Sequence, residues 1–304
     1  MVSNPIGKAF LIIVHLVLFL LTIFFCFLPS ASASAEEAAA LFKWKSFSNR
    51  DNPMLTSWIL QPNGANSSNN LSKDIASPCN CIPPQIGNLS KLIFLDLQGN
   101  AFPNEIPREI GQLKNLQTLH LNENSLSGSI PEEIGELRFL SDLDLAVNYF
   151  DGSIPISLRN LKSLTYLYLN DNILSGPIPS TFGYLNKLEV LYLFNNHLSG
   201  SIPPEMGNLT SLDSLALYNN NLSGSIPPSP SNLSNLYLLY LYNNQLSGSI
   251  AKEFGNLMAL EDLELAENLL GGSVPATLGN LSNLQDLYLF RNQLLVLFPK
   301  NLEI

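Results

Sequence analysis

Cysteine is scarce in this chain: Cys26, Cys79 and Cys81 are the only three among 304 residues. A disulfide scaffold needs several paired cysteines, so the fold has to rest on an apolar core instead. Cys79 and Cys81, with one residue between them, close only a small strained ring. No His or further Cys stands near enough to complete a metal site with them, and they read as remnants of a framework. Charge is scarce as well. Asp, Glu, Lys and Arg make up 13% of the chain and form no run of one sign. Acids exceed bases by 25 to 15, for a net charge of −10. That balance argues against nucleic acid, whose phosphates need clustered Lys and Arg, and suits a basic or neutral partner.

One long apolar run is present, at the start. Lys8 supplies a positive beginning, Ala9 to Leu28 is almost wholly apolar, and Ala31-Ser-Ala-Ser-Ala35 offers small residues for cleavage. Residues 1–35 therefore read as a signal peptide removed after Ala33 or Ala35. The run exceeds the roughly 7–15 residues usual for such a segment, which leaves an uncleaved anchor as the alternative. No later segment is long and apolar enough to span a bilayer, so the mature chain is expected to be secreted, at the cell surface or in the extracellular space. Seven N-x-S/T sequons fit that compartment: Asn66, Asn70, Asn88, Asn208, Asn221, Asn232 and Asn280. Four of them (Asn88, Asn208, Asn232, Asn280) share one repeat position, so glycans there would cover one flank and leave it a poor docking face.

What the sequence has in abundance is repetition. From Ile82 to Leu297 a 24-residue unit recurs nine times, its cleanest copy being IPPEMGNLTSLDSLALYNNNLSGS from Ile202 to Ser225. Counting Ile202 as place 1, Leu falls at places 11, 14 and 16 and Asn at place 19. Steps of 24 give Asn100, Asn124, Asn148, Asn172, Asn196, Asn220, Asn244, Asn268 and Asn292 without a miss. So strict a period predicts a solenoid, in which each unit buries its apolar face only against its neighbours. The stretch Leu212-x-x-Leu215-x-Leu217 predicts a short half-buried strand, and stacked copies a long parallel sheet. The recurring Asn is placed to satisfy backbone groups where the chain leaves the strand. After it, LSGSIP reads as extended or turn-like, and the xxIGNL portion has room for a short helical or 3₁₀ turn only. Pro230 and Ser231 in repeat 7, and Ala251 in repeat 8, depart from the unit as local variation.

The pattern L-x-x-L-x-L-x-x-N-x-L-S-G-x-I-P resembles the plant-type leucine-rich repeat of receptor-like kinases and receptor-like proteins. The resemblance implies an α/β solenoid: a right-handed superhelix of nine 24-residue repeats with a parallel β-sheet on its concave face. Upstream, Glu36-Glu-Ala-Ala-Ala-Leu-Phe-Lys-Trp-Lys45, Leu55-Thr-Ser-Trp58 and Ser77-Pro-Cys79 resemble the N-terminal cap of that family. The implied organisation is signal peptide 1–35, an incomplete cap 36–81, repeats 82–297 and a divergent tail 298–304. The family's cap continues past its first Cys to a second one, whereas here Cys79-Asn-Cys81 runs directly into Ile82-Pro-Pro. No glycine-rich phosphate loop, HRD or DFG occurs, so a kinase activity is not expected of this chain. No cofactor is implied.

Residues alternating with the Leu positions face outward on the strands. At place 15 they are Asp96, His120, Asp144, Tyr168, Tyr192, Ala216, Tyr240, Glu264 and Tyr288. Repeats 4 to 7 are expected to present an aromatic ridge of Tyr166, Tyr168, Tyr192, Phe194, Tyr218, Tyr240 and Tyr242, flanked by Glu261, Asp262, Glu264, Glu267 and Asp286. With Tyr288, these make a docking site for a secreted peptide or protein, or for a co-receptor ectodomain. The alternative is that Tyr simply favours strands and packs along its own column. The paired Arg by which some family members hold a peptide's carboxylate is absent, and Arg291 stands alone. Asp96, His120 and Asp144 are near enough for acid–base chemistry, but an open face does not exclude water, so catalysis is not expected. Two other readings remain: a secreted inhibitor resembling those that block microbial polygalacturonases, and a truncated product without independent function.

Overall fold

The computed structural model describes residues 81–295, and residues 81–295 alone are considered below. The expected signal peptide, all of the expected cap except Cys81, and the expected tail lie outside the described residues, as do Asn66 and Asn70. Cys81, read above as a remnant, is disulfide-bonded.

Nine three-residue strands, from Phe94–Asp96 through Tyr166–Tyr168 to Asp286–Tyr288, form one parallel sheet in chain order. The register advances by one period at each step: Leu95 lies opposite Leu119, Leu119 opposite Leu143, and Leu239 opposite Leu263. The extended segments after the Asn pair as well. Strands such as Ser125–Ser129 and Asn221–Ser225 build two further parallel sheets of three and six strands. Between them run 3₁₀ helices of five residues, such as Glu132–Glu136 and Pro204–Asn208. Each of these two enters through a Pro already fixed in extended backbone, Pro131 at φ −63° and Pro203 at φ −65°. Ala251 enters the same turn at φ −68°, which explains why that departure is harmless. Repeat 7 shortens its 3₁₀ segment to Ser229–Asn232.

The core is a continuous column. Leu119, Leu143, Leu167 and Leu191, the middle residues of their strands, are fully buried, and Phe102, Phe150, Phe182 and Phe254 fill the wider places. Each buried Leu or Phe contributes about 1.5–3 kcal/mol. Close stacking favours Gly at place 6, which seven of the nine repeats carry, Arg159 and Ser231 being the exceptions. A Cβ on Gly183 would lie 2.5 Å from the carbonyl oxygen of Glu205 in the next turn, and one on Gly111 would lie 2.7 Å from that of Glu133.

Asn196 shows what the fixed Asn does. Its Nδ2 donates toward the carbonyls of Leu193 and Phe194 in its own turn and Leu169 in the preceding one, at 3.0–3.2 Å. Its Oδ1 accepts from the N–H of Leu174 at 2.9 Å. The same four contacts recur at Asn148, Asn172, Asn220 and Asn268. One side chain thus serves two consecutive turns at the corner where no strand partner is available. Just before it, place 18 is left-handed in every copy, from Gly99 at φ 66° and Val147 at φ 54° to Arg291 at φ 51°. Asn or Asp fills that place in repeats 4 to 7, which suits this backbone, whereas a β-branched Val does not.

Two stability changes are expected in reversible urea unfolding. Asn196→Ala orphans a buried N–H and its paired carbonyls and lowers stability by about 3 kcal/mol. Val147→Asn relieves the left-handed strain and raises stability by about 1 kcal/mol.

Candidate binding surface

The face of the nine-stranded sheet turned away from the core is built from places 13, 15 and 17. Strand alternation sets this directly: Leu167 and Leu191 point into the core, while Tyr166, Tyr168 and Tyr192 point out. The predicted ridge is real as a packed body. Tyr168 meets Tyr192 edge-on at 5.4 Å, and Tyr192 meets Phe194 at 5.7 Å. Phe194, Tyr218 and Tyr242 form a parallel stack, each centroid 4.4 Å from the next, and Tyr240 leans on both Tyr218 and Tyr242 at 6.3 Å. Ala216 and Ser214 lie buried among these rings at the centre.

Two predicted members stand apart. Tyr166 makes no ring contact among the described residues, and its hydroxyl donates to Glu189 Oε2 at 3.3 Å. Tyr288 is 43% exposed and pairs edge-on with Phe290 at 6.2 Å, separated from the ridge by Glu264 and Ala266 of repeat 8. Packing along the column accounts for part of the aromatic enrichment, since the ridge members other than Tyr166 are half-buried by one another.

Diagonal pairs were not foreseen. His120 Nε2 donates to Asp142 Oδ2 at 3.0 Å, and the Tyr240 hydroxyl donates to Asp262 Oδ2. Both join place 15 of one repeat to place 13 of the next, an offset of 22 residues that a search along single columns passes over. Another unforeseen feature is a side-chain ladder at place 18. Asn243 donates to Asn219 at 2.7 Å, Asn219 to Asn195 at 2.6 Å, and Asn195 to Asp171 at 2.6 Å. Its signal was the recurrence of Asn or Asp immediately before the fixed Asn. Arg291, the single Arg on this face, is ion-paired with Glu267.

The Asp96–His120–Asp144 column does not assemble as a reacting group. Asp96 Oδ1 and Asp144 Oδ1 each accept the backbone N–H two residues on, from Gln98 and Ala146, both at 3.0 Å. His120 turns to Asp142 and packs edge-on against Phe94 at 5.9 Å. The hydrogen bond to Asp142 is the main cause that holds its pKa above the ordinary imidazole value. No group of three or more His, Cys, Asp and Glu suited to a metal gathers among the described residues.

Burial raises several tyrosine pKa values, that of Tyr168 to about 12. Tyr218 and Tyr240 are raised further for the same reason, so the ridge hydroxyls stay protonated. The same desolvation raises the carboxyls of Asp144, Asp213 and Glu264, the last also through repulsion from Asp262 and Asp286. An acid whose pKa rises on folding is held in its less favourable ionised form at neutral pH.

The repeat geometry now bears comparison with known proteins. The Leucine Rich Repeat profile matches residues 115–137, 163–185, 187–209, 211–233 and 235–257. A plant ice-binding protein is 32% identical, with 74% of this chain and 73% of that one covered and a TM-score of 0.64. The chain belongs to the plant-type leucine-rich-repeat family. It is also similar to receptor ectodomains of that family. The plant peptide hormone receptor RGFR1, solved in complex with RGF2, is 41% identical over 70% of this chain, at a TM-score of 0.69. The Arabidopsis receptor kinase HAESA, solved with the peptide hormone IDA and the co-receptor SERK1, is 31% identical over 86% of it, at 0.65. This chain spans 34% and 50% of those two receptor chains. No curated protein matches it. Among the described residues no helix is long and apolar enough to cross a membrane.

Glu264→Gln removes a carboxylate that folding disfavours. Thermal unfolding is expected at a higher temperature for this variant than for the parent at pH 7. The difference should vanish near pH 3, where the carboxyl is protonated in both folded and unfolded chains.

Proposed function

We propose that this chain is a non-catalytic extracellular recognition module that docks a secreted peptide or protein on the concave face of its sheet. The observation that carries the reading is the continuous ring-on-ring ridge from Tyr168 to Tyr242, spread across repeats 4 to 7 rather than confined to one strand. An aromatic surface of that length is a costly thing to leave in water, and aromatic anchors dominate binding centres. Similarity to receptors solved with peptide hormones supports it. A co-receptor ectodomain is a second class of partner consistent with the same similarity.

Glycosylation at Asn88, Asn208, Asn232 and Asn280 belongs to this reading. Each is exposed and ends a 3₁₀ segment, on the side of the solenoid away from the sheet. Asn221 is exposed at the start of a strand of the second sheet set. With Asn66 and Asn70 these would make a secreted glycoprotein, entering the secretory route by the signal peptide at 1–35.

A double variant, Tyr192→Ala with Tyr240→Ala, tests the ridge. Loss of these two rings is expected to weaken binding of a captured partner by at least tenfold with circular dichroism unchanged, as anchor residues contribute about 2 kcal/mol or more each. Unaltered affinity would remove the ridge from the binding site.

A further inference from the structure

Charge is segregated across this solenoid to a degree that the overall composition conceals. Places 12 to 18, which form the open face and its rim, hold twelve Asp and Glu against a single Arg, Arg291, and that Arg is bound to Glu267. Places 3 to 10, on the opposite side, hold eight Lys and Arg against six Glu. Some of those are matched locally, as Lys114 is with Glu136 and Arg108 with Glu133. The net negative charge of the repeats therefore lies on the one face that carries the aromatic ridge.

The acids are not evenly spread on that face. Asp142 and Asp144 precede the ridge in repeat 3, and Glu261, Asp262, Glu264, Glu267 and Asp286 follow it in repeats 8 and 9, whereas repeats 4 to 6 carry one acid each, at the rim places 12 and 18 (Asp171, Glu189, Asp213), and repeat 7 carries none. The two diagonally bonded aspartates are already engaged, Asp142 with His120 and Asp262 with the Tyr240 hydroxyl. Asp142 Oδ1 and Asp262 Oδ1 are buried and have no hydrogen-bond partner among the described residues, although the Oδ2 of each is bonded. Burial, and repulsion from Asp142 on Asp144 and from Asp262 and Asp286 on Glu264, disfavour the ionised free face, a cost that an incoming cation relieves.

We infer that the occupant of the concave face is an extended cationic peptide lying across the strands, with basic side chains over Asp142/Asp144 at one end and over Glu264/Asp286 at the other and an apolar or aromatic middle on the Tyr ridge. Five strand steps separate repeats 3 and 8, about 24 Å at about 4.8 Å per step. An extended chain covers that distance in about seven residues at about 3.3 Å each. The ligand thus carries its two basic groups about seven residues apart. The long negative face steers such a peptide in from solution, and the rings hold the middle once it has arrived. This inference rests on concave-face docking but is separable from it.

The test is selection of random twelve-residue peptides displayed on phage against the full secreted protein. A parallel selection uses the variant Asp144→Asn with Glu264→Gln and Asp286→Asn, whose isosteric amides leave the backbone contacts in place. Peptides selected on the parent are expected to be enriched in Lys or Arg at two sites about seven residues apart. As synthetic peptides they should bind at least tenfold more weakly to the amide variant, and more weakly at 300 mM than at 50 mM salt. Peptides without that enrichment, or no selected peptide at all, would overturn the inference. If such uncharged peptides lose binding to the Tyr192→Ala, Tyr240→Ala variant, concave docking stands and only the cationic assignment falls. If selected peptides bind that variant as well as the parent, the docking reading falls with it.

Discussion

Everything in this molecule hangs on one side-chain amide repeated every 24 residues. A solenoid turn must leave its strand, and at that corner the backbone N–H and C=O groups lose their ladder partners while still buried. Asn is the residue whose short side chain presents a donor and an acceptor together, so it closes both the corner of its own turn and that of the turn before. Leu174 N–H on one side and the Leu169 and Leu193 carbonyls on the other are all met by Asn196. Asp would only accept, Ser has a single donor hydrogen for the several carbonyls that the Asn amide serves, and Gln would overreach. Because each Asn ties two neighbours, the array is cooperative at the corners as well as along the Leu column.

That constraint divides the labour between positions. Places 11, 14, 16 and 19 are committed to core and corner, so they carry no information about a partner. The intervening places are free to vary, and in repeats 4 to 7 they vary toward aromatic rings that stack at 4.4 Å. On either side they vary toward carboxylates whose pKa values burial raises, as in Asp144 and Glu264. A face that holds partly dehydrated acids beside large rings carries a cost in stability that the scaffold below it absorbs. Such costs are characteristic of surfaces shaped for binding rather than for folding.

Much of this was legible in the residue order. The period, the strand at Leu-x-x-Leu-x-Leu, the 3₁₀ turn after Pro and the corner role of Asn all follow from local patterning, and the structure agrees with each. The ridge residues were legible too, because alternation along a strand tells inside from outside. The pairings between them were not. His120 with Asp142 and Tyr240 with Asp262 depend on how a side chain leans across the groove between strands, which no spacing within one repeat encodes. The Asn ladder from Asn243 down to Asp171 depends on a left-handed backbone at place 18 that points successive amides at one another. Cys81, read as a remnant, is disulfide-bonded.

Sequence by itself determined the architecture, since a strict 24-residue period with fixed Leu and Asn has only one way to bury its apolar faces and satisfy its corners. It also determined which residues are free. Only the tertiary structure decided how those free residues combine: stacking places rings from repeats 5, 6 and 7 in one body and gathers the negative charge onto one face. The physical reason is distance. Residues 22 or 24 apart in the chain are one strand spacing apart in space, where rings pack, hydroxyls bond and charges repel.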